Sequence, residues 1–81
     1  MQNYKTFDDL EFEPHPNHRG GIKAVMHFDK HKVSIIQTPY TRDNYEMAIM
    51  DGDSNIIDIL EDLAEQDVTR HMQQVQELEA V

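Results

Sequence analysis

Residues 21–28, GIKAVMHF, alternate without a break: Ile22, Ala24, Met26 and Phe28 fall on one side at period two, and Lys23, Val25 and His27 on the other. A strand with one buried face satisfies that pattern, so the chain must hold a sheet covered on one side. Two further segments extend it. Residues 33–38 are short and β-branched and end at Pro39, while YEMAIM places Tyr45, Met47 and Ile49 on one face before DGDSN stops the strand. The turn residues DKHK join the first pair as a hairpin, and the polar YTRDN connects the second pair.

From Ile56 the period becomes helical. Ile56, Leu60, Leu63 and Ala64 share one stripe, and Val68, Met72, Val75 and Leu78 continue it. The step of five from Leu63 to Val68 predicts a kink or break at residues 64–67, where Asp67 is placed to cap a second helix and Arg70 to pair with it. At the N-terminus, Thr6 stands three residues before Asp9, as in a capping box, which predicts a single helical turn. Residues 10–13 then form a short extended piece ended by Pro14. The expected fold is α+β: a three-stranded antiparallel sheet packed by one or two C-terminal helices, in a single domain of residues 1–81.

A chain of 81 residues builds only a small core, and a second copy or a partner often completes the burial in that size range. The expectation is therefore a homodimer, formed through a sheet edge or through the apolar stripe of Met72, Val75, Leu78 and Val81. With no cysteine there is neither a disulfide framework nor a thiolate metal site, which points to an intracellular setting. No basic leader precedes an apolar run, and no stretch approaches the roughly 20 apolar residues that span a bilayer, so a soluble protein without a membrane partner is expected.

The net charge of −9 is unevenly placed. Residues 1–42 hold six Lys or Arg against five Asp or Glu, whereas residues 43–81 hold eleven acids against Arg70 alone. Such a half repels phosphate backbones, which argues against direct nucleic-acid binding and favours a basic protein surface or a cation.

Residues 11–23, EFEPHPNHRGGIK, raise several chemistries. His15 and His18, and His27 and His31, have spacings that zinc sites use, but nothing makes four ligands converge. Gly20 and Gly21 precede a strand rather than open a helix, so they form no phosphate loop. A turn is the simpler reading: Pro14 and Pro16 end the extended piece, and the glycines supply positive φ. In DGDSNIIDILED, Asp51, Asp53, Asn55 and Asp62 match positions 1, 3, 5 and 12 of a calcium loop, but Ile56 stands where its sharp turn needs glycine. A turn with Ser54 or Asn55 as helix N-cap accounts for the same residues, and a cation-binding module using Asp51, Asp53 and Asp62 is the alternative. Only Ser34 and Ser54 could serve as serine nucleophiles, with no exposed nucleophile turn around either, so no enzyme, catalytic residue, metal or cofactor is expected.

The most specific positive signal is the spacing of Asp58, Glu61, Asp62 and Glu65 at i, i+3, i+4 and i+7. On a helix these carboxylates form one stripe, at a cost of a few tenths of a kcal/mol per like-charged pair. They are the predicted partner-binding residues.

The run FDDLEFEPHPNHRGGIKAVMHF, Ser34, YEMAIM and the ending EDLAEQDVTRHMQQVQEL resemble a family of small proteins encoded by bacteriophages and prophages. Small acidic phage proteins are frequently host-takeover or anti-defence inhibitors, including anti-CRISPR proteins and nucleic-acid mimics. The resemblance implies a cytoplasmic protein of the bacterial host cell that inhibits a host or defence protein with a basic surface. Its carboxylate-rich helical face would make the contact.

Overall fold

The computed structural model describes residues 4–17 and 19–79. A 3-10 turn, Phe7–Asp9, leads into strands β1 (Glu13–Pro14), β2 (Ile22–His27), β3 (His31–Gln37), β4 (Tyr45–Asp51) and β5 (Ile56–Leu63), and helix α1 (Glu65–Glu79) closes the chain. The strands form one antiparallel meander in the order β1-β2-β3-β4-β5, and α1 packs on one face of it. The α+β class and the covering C-terminal helix are as the sequence predicts. The sheet has five strands rather than three.

Alternation in β2, β3 and β4 sorts their side chains as expected. Ala24, Val33, Ile35, Tyr45 and Met47 are buried, and Val68, Met72 and Val75 of α1 pack down on the sheet. Met26, Phe28, Ile49 and Leu60 flank this core, with Phe7, Leu10 and Phe12 of the N-terminal segment. Phe7 meets Tyr45 edge-on with ring centroids 5.1 Å apart, and Phe12 lies 5.8 Å from the same ring, so the N-terminal segment closes one end of the core. Hydrogen bonds hold it to the helix. The Phe7 N–H donates to Thr69 Oγ1, and the Gln76 amide accepts from the Lys5 N–H while donating to its carbonyl.

The connections follow the sequence in part: Pro14 is the last residue of β1 rather than a stop beyond it, Gly20 but not Gly21 takes positive φ, and His31 and Lys32 of DKHK belong to β3. The Asp9 carboxylate accepts the Thr6 N–H at 2.8 Å, one arm of the expected capping box, while the Asp9 N–H donates to the Thr6 carbonyl of the 3-10 turn. Phe28 N–H donates to the His31 carbonyl across a two-residue turn. Residues 15–17 and 19–21 turn the chain from β1 into β2: His15 N–H donates to the Gly21 carbonyl, and Gly20 takes φ +80°. A single helix replaces the alternative of two, and the break around residues 64–67 is the junction between β5 and α1. There the Asp67 carboxylate reaches back to the N–H of Ala64, the residue before the helix, while its other oxygen takes Arg70 at 2.9 Å. The predicted pairing with Arg70 is therefore present, whereas Asp67 does not cap a second helix: it lies in the first turn of the one helix and reaches back to the residue before it.

The main correction concerns residues 56–63. They form a strand hydrogen-bonded to β4, with register shifts between Tyr45 and Met47 and between Ile49 and Met50. In the first shift, Leu60 and Leu63 face Met47 and Tyr45, so Glu46 stands opposite two residues, Glu61 and Asp62, and Asp62 takes φ +56°. DGDSN is accordingly a hairpin turn between two strands, and neither Ser54 nor Asn55 caps a helix. Instead the Asp51 carboxylate accepts from the backbone N–H groups of Asp53 and Asn55.

Candidate functional site

With α1 on one face, the other face of the sheet is uncovered among the described residues. The pairing register arranges it in rows. One row runs Glu13, Lys23, Ile36, Glu46; the next runs Val25, Ser34, Ala48, Ile59; the third runs His27, Lys32, Met50, Ile56. Val25 is 44 % exposed, and a depression lined by Ser34, Ile36, Glu46, Ala48 and Ile59 crosses the middle. Lys23 and Lys32 lie on β2 and β3, between Glu13 on β1 and Glu46 on β4.

At one margin β5 is an edge strand. Ile56, Ile57 and Ile59 are 60, 57 and 53 % exposed, although they are among the largest apolar side chains of the chain. The strand carries Asp58, Glu61 and Asp62 and no cation. These residues and Glu65 are all exposed, but they do not form the predicted helical stripe. Asp58 pairs with Ile49, toward the helix side, and accepts the Ile59 N–H at 2.9 Å. Glu61 and Asp62 form the bulge, and Glu65 opens α1. The correction follows from the strand itself: successive residues point to opposite faces, so a helical spacing cannot align them. What unites them is the β5 margin and the turn into α1. Glu65 also bears on Tyr45, whose phenol is raised above its ordinary pKa by burial and then by the Glu65 charge.

The self-association stripe needs correction too. Met72 and Val75 are fully used in the core, Leu78 alone of the described members is exposed, and Val81 lies outside the described residues.

The metal readings find no geometry. Asp51 and Asp62 lie near opposite ends of the β4–β5 pair, so no loop folds them around one ion; six residues of strand separate them by about 20 Å. His27 and His31 sit on opposite faces of the sheet by alternation, because His27 follows Val25 whereas His31 precedes buried Val33 and Ile35. His15 accepts the Asn17 N–H at Nδ1, and its intended companion His18 lies outside the described residues. Among the described residues, no three His, Asp or Glu are grouped to hold a metal.

The end of the sheet bearing the β2–β3 and β4–β5 turns has a polar cluster that sequence spacing did not reveal. Glu79, in the last turn of α1, accepts the N–H groups of Asp29 and Lys30 at 3.2 and 2.6 Å and meets His31 Nδ1 at 2.9 Å. Glu79 is 48 to 50 residues from these partners, too far for a local motif to signal. Burial opposes its charge, but the His31 bond and the two turn N–H groups outweigh that and hold the carboxyl below its usual pKa. Asp51 is also lowered, first by the Asn55 N–H. Both groups serve the turns and leave no unsatisfied polar atom: among the described residues no buried side-chain nitrogen or oxygen lacks a partner.

A lowered folded-state pKa means that ionised Glu79 stabilises the native state above its unfolded value, near 4.3, and that this contribution disappears as pH falls through the lower folded value. Glu79→Gln should therefore lower the melting temperature at pH 7, and the gap from the parent protein should close as pH is taken toward 3. A gap that stayed constant over that range would show that Glu79 ionisation contributes nothing.

No family model, curated protein or solved structure matches the chain. Among the described residues, no helix is long and apolar enough to cross a membrane.

Proposed function

We propose that the chain is a small acidic protein-binding module that inhibits a bacterial host or defence protein by setting its β5 margin against a basic segment of that protein. The observation that carries this reading is the exposure of Ile56, Ile57 and Ile59 on an unpaired edge that also bears Asp58, Glu61 and Asp62. An edge strand offers backbone donors and acceptors to an added strand, with alternate side chains giving specificity. The absence of any cation from β5 makes a Lys- or Arg-bearing segment its natural complement, because charge complementarity accelerates encounter and disfavours wrong partners. Inhibition of a host or defence protein, and the bacterial cytoplasm as the setting, rest on the resemblance to small phage proteins.

Asp58→Asn, Glu61→Gln, Asp62→Asn and Glu65→Gln, made together, test this directly. The fold should survive: all four residues are exposed, an asparagine amide oxygen at position 58 can still accept the Ile59 N–H, and asparagine tolerates the positive φ at position 62. Tagged parent protein should retain a partner from bacterial lysate at low salt and release it at high salt, and the variant should retain little at either. Gln73→Ala with Gln74→Ala, two exposed positions on α1, should leave capture unchanged. Equal capture of that partner by the parent and the quadruple variant at low salt would remove the acidic margin from the contact.

A further inference from the structure

We propose that the uncovered sheet face binds a second copy of this chain, stacking the two sheets about a two-fold axis that runs parallel to β3, with Lys23 of each copy set against Glu46 of the other. This goes beyond partner binding at the β5 margin, which lies to one side of the contact.

The row structure of the face carries the proposal. Lys23, Ile36 and Glu46 are successive cross-strand partners, so Lys23 and Glu46 stand at one level, one strand to either side of β3. A two-fold axis along β3 keeps each level and exchanges the two sides. It therefore lays β2 of one copy over β4 of the other, and Lys23 over Glu46, twice in the dimer. At the next level Val25 falls over Ala48, and one level further His27 falls over Met50. Ile36 meets its own copy at the axis, as does Ser34, whose hydroxyl can both donate and accept. Lys32 would also meet itself, but its Nζ is drawn aside to Ser54 Oγ at 2.6 Å.

An axis perpendicular to the strands would reverse the levels and lay each strand over its own copy, so that Lys23 would stand over the His27 level and Glu46 over the Met50 level, and neither would gain an opposite charge. The axis along β3 gives both their pairing, although it also brings Glu13 of β1 toward the Glu61–Asp62 level of β5. Neither Lys23 nor Glu46 has an ion-pair partner among the described residues of its own chain, and both are half-buried, so each gains a partner on stacking. Glu46 already stands opposite Glu61 and Asp62, which makes an incoming lysine more favourable there.

The size of the face sets the strength. The three strands that overlie one another, β2, β3 and β4, are about 4.8 Å apart and six residues long and present roughly 15 by 20 Å. That footprint is well below the roughly 800 Å² per partner of a standard interface, so a weak dimer is expected.

The test is sedimentation equilibrium from about 1 to 100 µM in roughly 0.15 M salt, where the mutual repulsion of two acidic copies is screened over about 8 Å. The parent protein should dimerise. Lys23→Glu leaves acids at both positions and Glu46→Lys leaves lysines at both, so each variant alone should associate at least tenfold more weakly. An equimolar mixture of the two should regain association close to the parent's, because in the mixed dimer the two acids of one variant face the two lysines of the other. Restoration on mixing reports an intermolecular pair, which a loss of folding in either variant cannot imitate. Val25→Asp, at an exposed position, should abolish the dimer without reference to either charge. A parent protein that remains monomeric at 100 µM overturns the proposal. So do single variants that dimerise like the parent, or a mixture of folded variants that stays monomeric. None of these readouts depends on the partner expected at β5.

Discussion

Met72→Ala is expected to destabilise the fold by about 2–5 kcal/mol, the range for truncating a long apolar side chain in a core. Met72 is fully buried between the helix and the sheet, in contact with a cluster that includes Val33, Ile35, Met47 and Val68. A chain this small has little reserve, since single domains hold about 5–15 kcal/mol in total. The melting temperature should fall by roughly 10–30 °C, given several degrees per kcal/mol for a domain of this size. Leu78 occupies the same sequence stripe but is 69 % exposed, so Leu78→Ala should stay within about 0.5 kcal/mol. Equal losses at the two positions, measured by thermal or denaturant unfolding, would show that the helix turns a different face to the sheet.

The second large effect is expected at Asp62, from the backbone alone. Its φ of +56° lies in the left-handed region, which Asp and Asn enter readily and β-branched residues enter at a cost of about 1–3 kcal/mol. Asp62→Val should be destabilising by that amount although the side chain is exposed. Asp62→Gly should be nearly neutral, because glycine adopts positive φ freely while adding entropy to the unfolded chain. A helix gives the opposite order. In a helix interior glycine is worse than valine by a few tenths of a kcal/mol, so a glycine variant less stable than the valine variant would contradict the bulge at Glu61 and Asp62.

The same bulge explains why β5 was not legible as a strand. Undistorted strands signal themselves by period two, as Ile22, Ala24, Met26 and Phe28 do, and as Tyr45, Met47 and Ile49 do. A bulge adds one residue, so Leu60 and Leu63 face the core three apart. With Ile56 and Ala64 they imitate the i, i+4, i+7, i+8 pattern of a helix. Edge position compounds the imitation, because Ile56, Ile57 and Ile59 are not sorted to a buried face as apolar residues of a central strand would be. The four carboxylates therefore lie along a strand margin and its turn into α1 rather than along a helical stripe.

Features governed by near neighbours were legible in outline, among them the Thr6–Asp9 contact, a hairpin turn within DKHK and the Asp67–Arg70 pair. Gln76 was not: Gln73, Gln74 and Gln76 look equivalent in the sequence, but Gln76 alone of the three holds the Lys5 backbone, 71 residues away. The uncovered face is not visible in the sequence, because the separation of Lys23 from Glu46 becomes a surface only when the register of β2, β3 and β4 is known.

Both the acidic margin and the stacking face depend on residues 56–63 forming an edge strand, and nuclear magnetic resonance measures that directly. Extended-type chemical shifts through this segment are expected, with cross-strand contacts linking Ala48 to Ile59 and Met47 to Leu60 and an interruption at Asp62. Helical shifts with contacts three residues apart, continuous from Ile56 into α1, would contradict the edge strand and restore the four carboxylates to a single helical stripe.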